Sequence, residues 1–471
     1  MTKQTVSPSS ADALGREPVG KLLLRLALPA ILAQVINMLY NIVDRIYIGH
    51  IEDVGHLALT GVGVTFPLIM FISAFSALAG MGGGPRAAIC LGKQDKEGAE
   101  RILGGCTTLL LVMAVVLTAV MAIFGEPLLL LLGASADTLP YALEYLNIYL
   151  VGTVFVMLSL GLNNFISTQG FAKVSMLTVV IGAVFNIALD PLFMFAFGMG
   201  VKGAAVATVL SQAVSAVWVV RFLTGKKTVL RIRKKHLRLR AKVVLPVMGL
   251  GISPFIMQST ESILNICFNT SLLAYGGDPA VGTMTILSSI MQMFMLPLMG
   301  LTQGARPIIS YNFGAGNTGR VKKAFRLLLT ACIAYSGIFW LAVQLAPGFI
   351  VSLFASNKAL IGLATWALPI YLAAGLLMGV QLACQQSFIA LGQARSSLFL
   401  ALLRKVVLLI PLIYILPGIF DDKVFAVFLC EPVADVIAVG TTLVLFLCRF
   451  GKILRKNEEE LKKGRAAQAG E

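Results

Sequence analysis

The chain has 471 residues, of which 58% are hydrophobic and 13% are charged, and its mean hydropathy is +0.87. In an ordinary soluble domain about a quarter of the residues are charged, so this composition excludes a water-soluble globule with a separate catalytic domain. The formal net charge is +16. In a soluble protein that charge would indicate nucleic-acid binding, but here the basic residues lie between apolar segments, and we expect no nucleic-acid partner.

Apolar segments long enough to cross a bilayer follow one another along nearly the whole chain. A crossing takes about 20 residues of helix, and the hydropathy pattern predicts twelve crossings and therefore an all-α integral membrane protein. The predicted crossings lie near 22–49, 57–83, 99–124, 139–168, 173–198, 201–224, 243–273, 281–306, 325–355, 363–391, 395–418 and 423–449.

The basic residues fall mainly on one side of these predicted crossings. Loops that stay in the cytoplasm are enriched in Lys and Arg, and the predicted outward loops hold only Lys202, Lys358 and Lys423. We therefore expect a multi-pass protein of the plasma (inner) membrane with both termini in the cytoplasm. The first 21 residues lack a short apolar core with a cleavage site, so we expect no removable signal peptide.

The largest block of basic residues divides the chain into two halves of six predicted crossings each. The predicted parts are a cytoplasmic N-terminal segment 1–21, an N-lobe 22–225, a basic cytoplasmic linker 226–242, a C-lobe 243–449 and a cytoplasmic tail 450–471. We interpret the linker as a topogenic connection. The alternative is an amphipathic helix on anionic lipid, because apolar residues alternate with its positive charges.

The two halves resemble each other in sequence. Pro29 lies fifteen residues before Asp44, and Pro246 lies fifteen residues before Glu261, so one offset aligns a proline and a membrane acid in both halves. Six crossings is an even number, so both units enter the membrane from the same side. This pattern predicts two duplicated six-helix bundles, a plan that is common in secondary transporters.

Five acidic residues lie within the predicted crossings, where an unpaired charge is costly and tends to mark an ion or substrate pathway. They are Asp44, Asp190, Glu261, Glu431 and Asp435. An enzyme is not expected, because no nucleophile, base and orienting group occur together in the sequence. The seven cysteines have no paired spacing and are interpreted as core residues.

Four oxygen-bearing residues on three predicted helices share the outer half of the N-lobe: Asp44, Asn186, Asp190 and Thr208. Asn186 and Asp190 are four residues apart and so lie on one helix face. Two carboxylates, an amide and a hydroxyl in a low dielectric suit a dehydrated monovalent cation such as Na+, or a shared proton. The alternative is that Asp44 pairs with Arg45, although successive helical residues face apart.

The C-lobe has different residues at the equivalent positions. The stretch that matches Asn186 to Asp190 is apolar there, while Arg404 and Lys405 lie at a depth comparable to Asp435. Two interpretations stay open: Glu431 and Asp435 form a salt-bridged network that fixes the lobe, or they act with Glu261 in substrate or proton coupling.

Pro29 removes one backbone hydrogen bond from the first predicted helix and permits a bend in the helix that carries Asp44. We interpret Pro29 as a conformational hinge. The alternative is a static kink, which neighbouring helices accommodate in many membrane proteins.

Four segments in order resemble the multidrug and toxic compound extrusion family, in its MepA-like branch. They are LALPAILAQVINMLYNIVDRIYIGHIEDVGHLALTGVGVTFPL from residue 26, ISYNFGAGN at 309–317, ALGQAR at 390–395 and CEPVAD at 430–435. In that family an Asp on helix one, an Asn and an Asp on helix five and a Thr on helix six form a cation site. The matching residues here are Asp44, Asn186, Asp190 and Thr208, and the family's Glu on helix seven matches Glu261. Some members carry another acid on helix ten, where this chain has Cys384, Gln385 and Gln386.

The resemblance implies a V-shaped pair of lobes that exports cationic amphipathic compounds by alternating access, in exchange for inward H+ or Na+. It implies no cofactor other than that coupling ion, and we expect a monomer in the lipid bilayer. The alternative is a flippase for a lipid-linked oligosaccharide or another lipid precursor. A flippase would need basic residues around an anionic diphosphate, and the bases expected within the membrane are Arg45, Arg404 and Lys405.

Overall fold

The structure is a computed structural model that describes residues 10–51, 55–354 and 358–469. Within these ranges, ten helices are long and apolar enough to cross a membrane, and a bent pair of helices forms one further crossing. One of the ten, Ala241–Gly314, has 74 residues and is interrupted at Gly277, where φ is 65° and ψ is −164°. Because glycine adopts positive φ readily, this residue separates two crossings, and all twelve predicted crossings correspond to helices.

We label the crossings α1 to α12 in chain order. The N-terminal half contains α1 Val19–Gly49, α2 Gly55–Gly92, α3 Lys96–Leu131, α4 Leu139–Thr168, α5 Ala172–Ala196 and α6 Val201–Thr224. In the C-terminal half, α7 and α8 are the parts of Ala241–Gly314 before and after Gly277, and the others are α9 Thr318–Leu345, α10 Leu360–Tyr371 with Gly375–Ala390 after a bend of 51°, α11 Ala394–Gly418 and α12 Lys423–Ala469. Short helices at Ser10–Arg16 and Pro347–Ser352 flank α1 and α9.

Several helices extend beyond the predicted crossings. Helix α8 continues to Gly314 rather than ending at 306, and α12 continues through most of the predicted tail to Ala469. Hydropathy detects the part of a helix that lies in hydrocarbon, whereas the backbone hydrogen bonds continue beyond it. Helix α1 runs through Pro29 without interruption.

Both described ends of the chain lie at one face of the bundle. The backbone carbonyl oxygen of Leu14 accepts a 2.9 Å hydrogen bond from Nδ2 of Asn312, near the end of α8. Beside it, Nδ2 of Asn457 on α12 donates a 2.7 Å hydrogen bond to the carbonyl oxygen of Phe313. We call this side of the molecule, where α1 begins and α8 and α12 end, the terminal face.

The two halves pack tightly against each other near the terminal face, mainly through α1 and α2 of one half and α7 and α8 of the other. A Cβ atom at Gly251 would overlap the carbonyl oxygen of Leu78, and one at Gly314 would overlap the carbonyl oxygen of Ile89. Only glycine permits such close backbone approach. We call this contact the interlobe seal.

The linker between the halves is held on the N-lobe by hydrogen bonds. Oε1 of Gln169 accepts bonds of 2.8 Å from the hydroxyl of Thr228 and from the backbone N–H groups of Val229 and Leu230. Arg233 forms a 2.7 Å ion pair with the buried Glu100 of α3. The described linker contains only a three-residue 3-10 helix, Lys234–His236, and not the amphipathic helix considered as an alternative.

Candidate functional site

The four residues predicted for the N-lobe site lie on three helices that pack side by side. Helix α1 carries Asp44, α5 carries Asn186 and Asp190, and α6 carries Thr208. Nδ2 of Asn186 donates hydrogen bonds to Oδ1 of Asp190 at 3.1 Å and to Oγ1 of Thr208 at 3.5 Å. Asn186 and Asp190 are fully buried. The structure thus joins the α5 and α6 residues directly, and Asp44 is close enough to interact electrostatically with Asp190.

Three oxygen atoms of this group are buried and receive no hydrogen bond from any described residue: Oδ1 of Asp44, Oδ1 of Asn186 and Oδ2 of Asp190. Leaving a buried acceptor unpaired costs about 1–3 kcal/mol. A hard cation takes oxygen ligands of this kind, and a proton on either carboxylate would also supply the missing donor. The arrangement is therefore chemically suited to one monovalent cation or one proton.

Arg45 contacts Phe66 and does not form an ion pair with Asp44. Its guanidinium carbon lies 5.1 Å from the ring centroid of Phe66 on α2, a cation–π contact. No ion pair between Asp44 and Arg45 occurs among the described residues. The helix geometry explains the difference, because consecutive side chains point about 100° apart.

Tyrosines form one wall of the site and were not predicted from the sequence. Tyr145 and Tyr149 lie one turn apart on α4 with their ring centroids 6.3 Å apart, and both line the same cavity as Thr208. Tyr40 lies one turn before Asp44 on α1 and faces the same cavity. The i, i+4 spacing of the tyrosines was the available signal, but it is also typical of ordinary helix packing.

A cavity of about 770 Å³ extends between the two halves, beside this group of residues. On α1 its lining runs from Leu26 to Arg45, which corresponds to roughly 28 Å of helix. The lining is mostly apolar or uncharged polar; its charged residues are Asp44, Arg45 and Arg306. The sequence places Arg306 at the end of a predicted crossing, outside the set of bases expected within the membrane.

In the C-lobe, Arg404 of α11 lies between the two acids of α12. Its Nη2 donates to Oε1 of Glu431 at 2.8 Å and its Nε donates to Oδ1 of Asp435 at 2.6 Å. Both carboxylates are buried. Each acid has a guanidinium partner, which is the arrangement that a salt-bridged network requires.

Lys405, the next residue, pairs with the third acid of the C-lobe. Its Nζ donates hydrogen bonds to the carboxylate of Glu261 and, at 3.0 Å, to the carbonyl oxygen of Met257 on α7. Lys405 is buried, whereas 63% of the Glu261 side chain is exposed. Arg404 and Lys405 both lie in a π-helical turn, Leu403–Leu409, a helix distortion that often occurs at functional sites.

The helix-ten residues Cys384, Gln385 and Gln386 are all buried and provide no carboxylate. Nε2 of Gln385 donates to Sδ of Met257 at 3.3 Å. Among the described residues, no group of three or more His, Cys, Asp or Glu side chains is arranged to hold a metal ion. The three acids predicted within the C-lobe membrane region, Glu261, Glu431 and Asp435, are each paired with a basic side chain.

Comparison with known proteins shows which protein family has this architecture. The family model MatE matches residues 29–192 and 254–415, which together make up more than half of the chain. The chain belongs to the MatE family. The two matched segments fall on the two halves of the chain, as expected for a duplicated unit. As a member of this transporter family, it is a multi-pass membrane transporter and not an enzyme.

Relatives and solved structures agree with this assignment. The chain is 26% identical over 421 residues to "Multidrug export protein MepA" of Staphylococcus haemolyticus, covering 89% of this chain and 92% of that protein. It is 26% identical over 441 residues to the protein of the same name from Staphylococcus aureus, covering 92% and 95%. A crystal structure of MATE in the bent conformation has a TM-score of 0.89 at 23% identity, covering 96% of this chain and 99% of that one. These findings confirm the predicted all-α membrane fold and the MepA-like resemblance.

Proposed function

We propose that this transporter is a cation-coupled antiporter that exports cationic amphipathic compounds from the cell by alternating access. The observation that carries the proposal is the set of three unpartnered buried oxygens on Asp44, Asn186 and Asp190, beside a large cavity between the lobes. The MepA proteins, described as multidrug export proteins, are similar over most of the chain. The coupling ion, H+ or Na+, would occupy the N-lobe site together with Thr208.

The mechanism follows from the placement of the site at the side of the cavity. A cation or proton neutralises Asp44 and Asp190, whereas a cationic substrate is attracted only while those carboxylates are charged. Ion and substrate therefore compete for the same negative charge. Binding of either one shifts the conformational equilibrium only if the inward-open and outward-open states bind it differently. The interlobe seal would be the contact that opens on the cytoplasmic side.

The acids of the C-lobe would have different roles in transport. Glu431 and Asp435 are buried on Arg404 and would hold α11 against α12. Glu261 is exposed and paired with the ammonium group of Lys405, and it would act in substrate or proton coupling. Pro29 would act as a hinge of α1, and the protein would function as a monomer in the plasma (inner) membrane with both termini in the cytoplasm.

An efflux assay in proteoliposomes would test the coupling. The protein is reconstituted with a cationic dye, and dye movement is measured while a pH gradient and a sodium gradient are imposed separately. We expect one of the two gradients to drive dye export, and Asp44→Asn to abolish that response. Equal dye movement with and without both gradients would contradict cation coupling.

The flippase alternative is tested in the same vesicles with a fluorescent lipid-linked sugar diphosphate. The lining offers two basic residues, Arg45 and Arg306, and they lie near opposite ends of the cavity. A paired diphosphate cradle is therefore not formed, and we expect no protein-dependent flipping. Flipping of the lipid without export of the dye would favour the alternative.

A further inference from the structure

Arg306 of α8 is a buried arginine at the floor of the cavity. Arg306 is 8% exposed, and its side chain lines the cavity just before the interlobe seal. The backbone of Gly304 packs against Ala27 of α1, which fixes Arg306 near the terminal face. Asp44 lies 17 residues beyond Ala27 on α1, roughly 25 Å further along the helix axis.

Arg306 has no partner among the described residues. Its Nε is buried without an acceptor, and no described ion pair or hydrogen bond involves its guanidinium. Arg404, which is also largely buried in the C-lobe, is paired with Glu431 and Asp435, whereas Nε of Arg86 in the N-lobe is likewise buried without an acceptor. A buried charge in the membrane is costly unless it is neutralised. An unpaired guanidinium that faces a cavity therefore indicates an anionic ligand.

Arg86 on α2 is the counterpart of Arg306 in the duplicated sequence. It occupies the same place in GPRAAI that Arg306 occupies in GARPII. The cavity lining includes Gly84, Pro85 and Ala88 of α2 but not Arg86 itself. The two lobes thus hold equivalent arginines, of which only the C-lobe residue faces the cavity.

We infer that Arg306 forms an anion subsite that binds the carboxylate of amphipathic substrates at the floor of the cavity. This inference rests on the proposed export function and extends it to a second substrate class. A planar guanidinium binds a carboxylate with two parallel hydrogen bonds, and the low dielectric strengthens them. The nearby lining residues, such as Gln303 and Ala30, are uncharged and do not compete for the guanidinium.

Arg306 and Asp44 lie near opposite ends of the cavity. A compound held by its carboxylate on Arg306 is too far from Asp44 for a small molecule to contact both. Carboxylate-bearing substrates and simple cations would therefore bind at different depths of one cavity. Substitutions at Arg306 and at Asp44 would change the affinities of the two classes separately.

A matched pair of dyes tests this inference. Rhodamine 123 is a cationic ester, and rhodamine 110 has the same ring system with a free carboxylate. Their dissociation constants are measured by fluorescence polarisation on purified protein in phosphatidylcholine nanodiscs, which carry no anionic headgroup. The proteins compared are the wild type, Arg306→Gln, Arg306→Lys and the repeat counterpart Arg86→Gln as control.

For Arg306→Gln we expect the ratio of the rhodamine 110 to the rhodamine 123 dissociation constant to rise about tenfold. Arg306→Lys should give a smaller rise, because it keeps the charge and loses the fork geometry. If Arg306→Gln fails to fold, Arg306→Lys still tests the inference through the same ratio. Arg86→Gln should leave the ratio as in the wild type.

Three results would overturn the inference: an unchanged ratio in both Arg306 variants, no binding of rhodamine 110 to the wild type, or an equal change in Arg86→Gln. Failure of the export function would be recognised separately. In that case neither ion gradient would drive rhodamine 123 export, whereas the ratio would still depend on Arg306.

Discussion

The ammonium group of Lys405 is hydrogen-bonded to the carboxylate of Glu261, which joins α11 to α7. The duplicated sequence places Asp44 opposite Glu261 in the N-lobe, and there the buried Oδ1 has no partner among the described residues. Equivalent acids are thus neutralised differently. The C-lobe acid is paired with the ammonium group of Lys405, whereas we propose that an exchangeable cation or proton neutralises the N-lobe acid.

Replacing Glu261 tests the role of this pair. Glu261→Gln should reduce export partially and lower the thermal unfolding midpoint, because Lys405 stays buried without its partner. The expected loss of stability is about 2 kcal/mol, less than for a fully buried pair because Glu261 is exposed. The control is the double variant Glu261→Gln with Lys405→Gln, which should recover much of the midpoint. A single variant as stable as the wild type, with full export, would show that the pair is dispensable.

Charge removal at the N-lobe site should have a larger effect on transport than on folding. Asp44→Asn and Asp190→Asn should each abolish gradient-driven export while the protein remains inserted and monodisperse, because each removes one of two neutralisable charges. The control is Asp278→Asn, since Asp278 is exposed near the turn between α7 and α8. Export is measured in proteoliposomes over a range of pH. Normal export by either variant would exclude the N-lobe site as the coupling site.

Substitution of Pro29 tests the hinge. Pro29→Ala restores a backbone N–H to α1 and favours a straight helix. We expect cation binding to remain measurable while the export rate falls, because the step that depends on bending becomes slower. Binding is measured by isothermal titration and export with matched protein amounts. Wild-type export rates would mean that α1 does not bend during the cycle.

Arg320 should hold the start of the chain against the C-lobe. Its Nη2 donates to the carbonyl oxygens of Glu17 at 2.6 Å and Leu14 at 3.1 Å, and its Nε donates to Oδ1 of Asn312 at 3.0 Å. In Arg320→Gln, we expect amide hydrogen exchange in the short helix before α1 to become about tenfold faster, because charge-assisted bonds are lost.

The matched control for Arg320 is Lys323→Gln, an exposed change one turn further along α9. Hydrogen exchange is followed by mass spectrometry on peptides that contain Leu14. Equal exchange rates in Arg320→Gln and the wild type would show that packing of the buried Leu14, rather than the arginine, holds the segment.

The sequence by itself determined the number and order of the crossings, because a bilayer requires about 20 apolar residues for each one. It also determined the duplication and the shared depth of Asp44, Asn186, Asp190 and Thr208, since depth follows from position along a helix of known rise. The pattern could not show how far α8 extends, because its last turns, up to Gly314, lie beyond the predicted crossing, which ends at Arg306.

Only the tertiary structure decided which acidic side chains form ion pairs with which basic ones. Whether Glu431 and Asp435 meet Arg404 depended on the rotation of α11 relative to α12. Arg404 and Lys405 both lie in the π-helical turn Leu403–Leu409, and their side chains reach different helices, α12 and α7. Likewise, Arg86 and Arg306 are equivalent in sequence, and only packing places one of them in the cavity. Contacts between residues more than a hundred positions apart depend on how the helices pack. The helical periodicity of a sequence predicts which face of a helix is apolar, but it does not predict which other helix packs against that face.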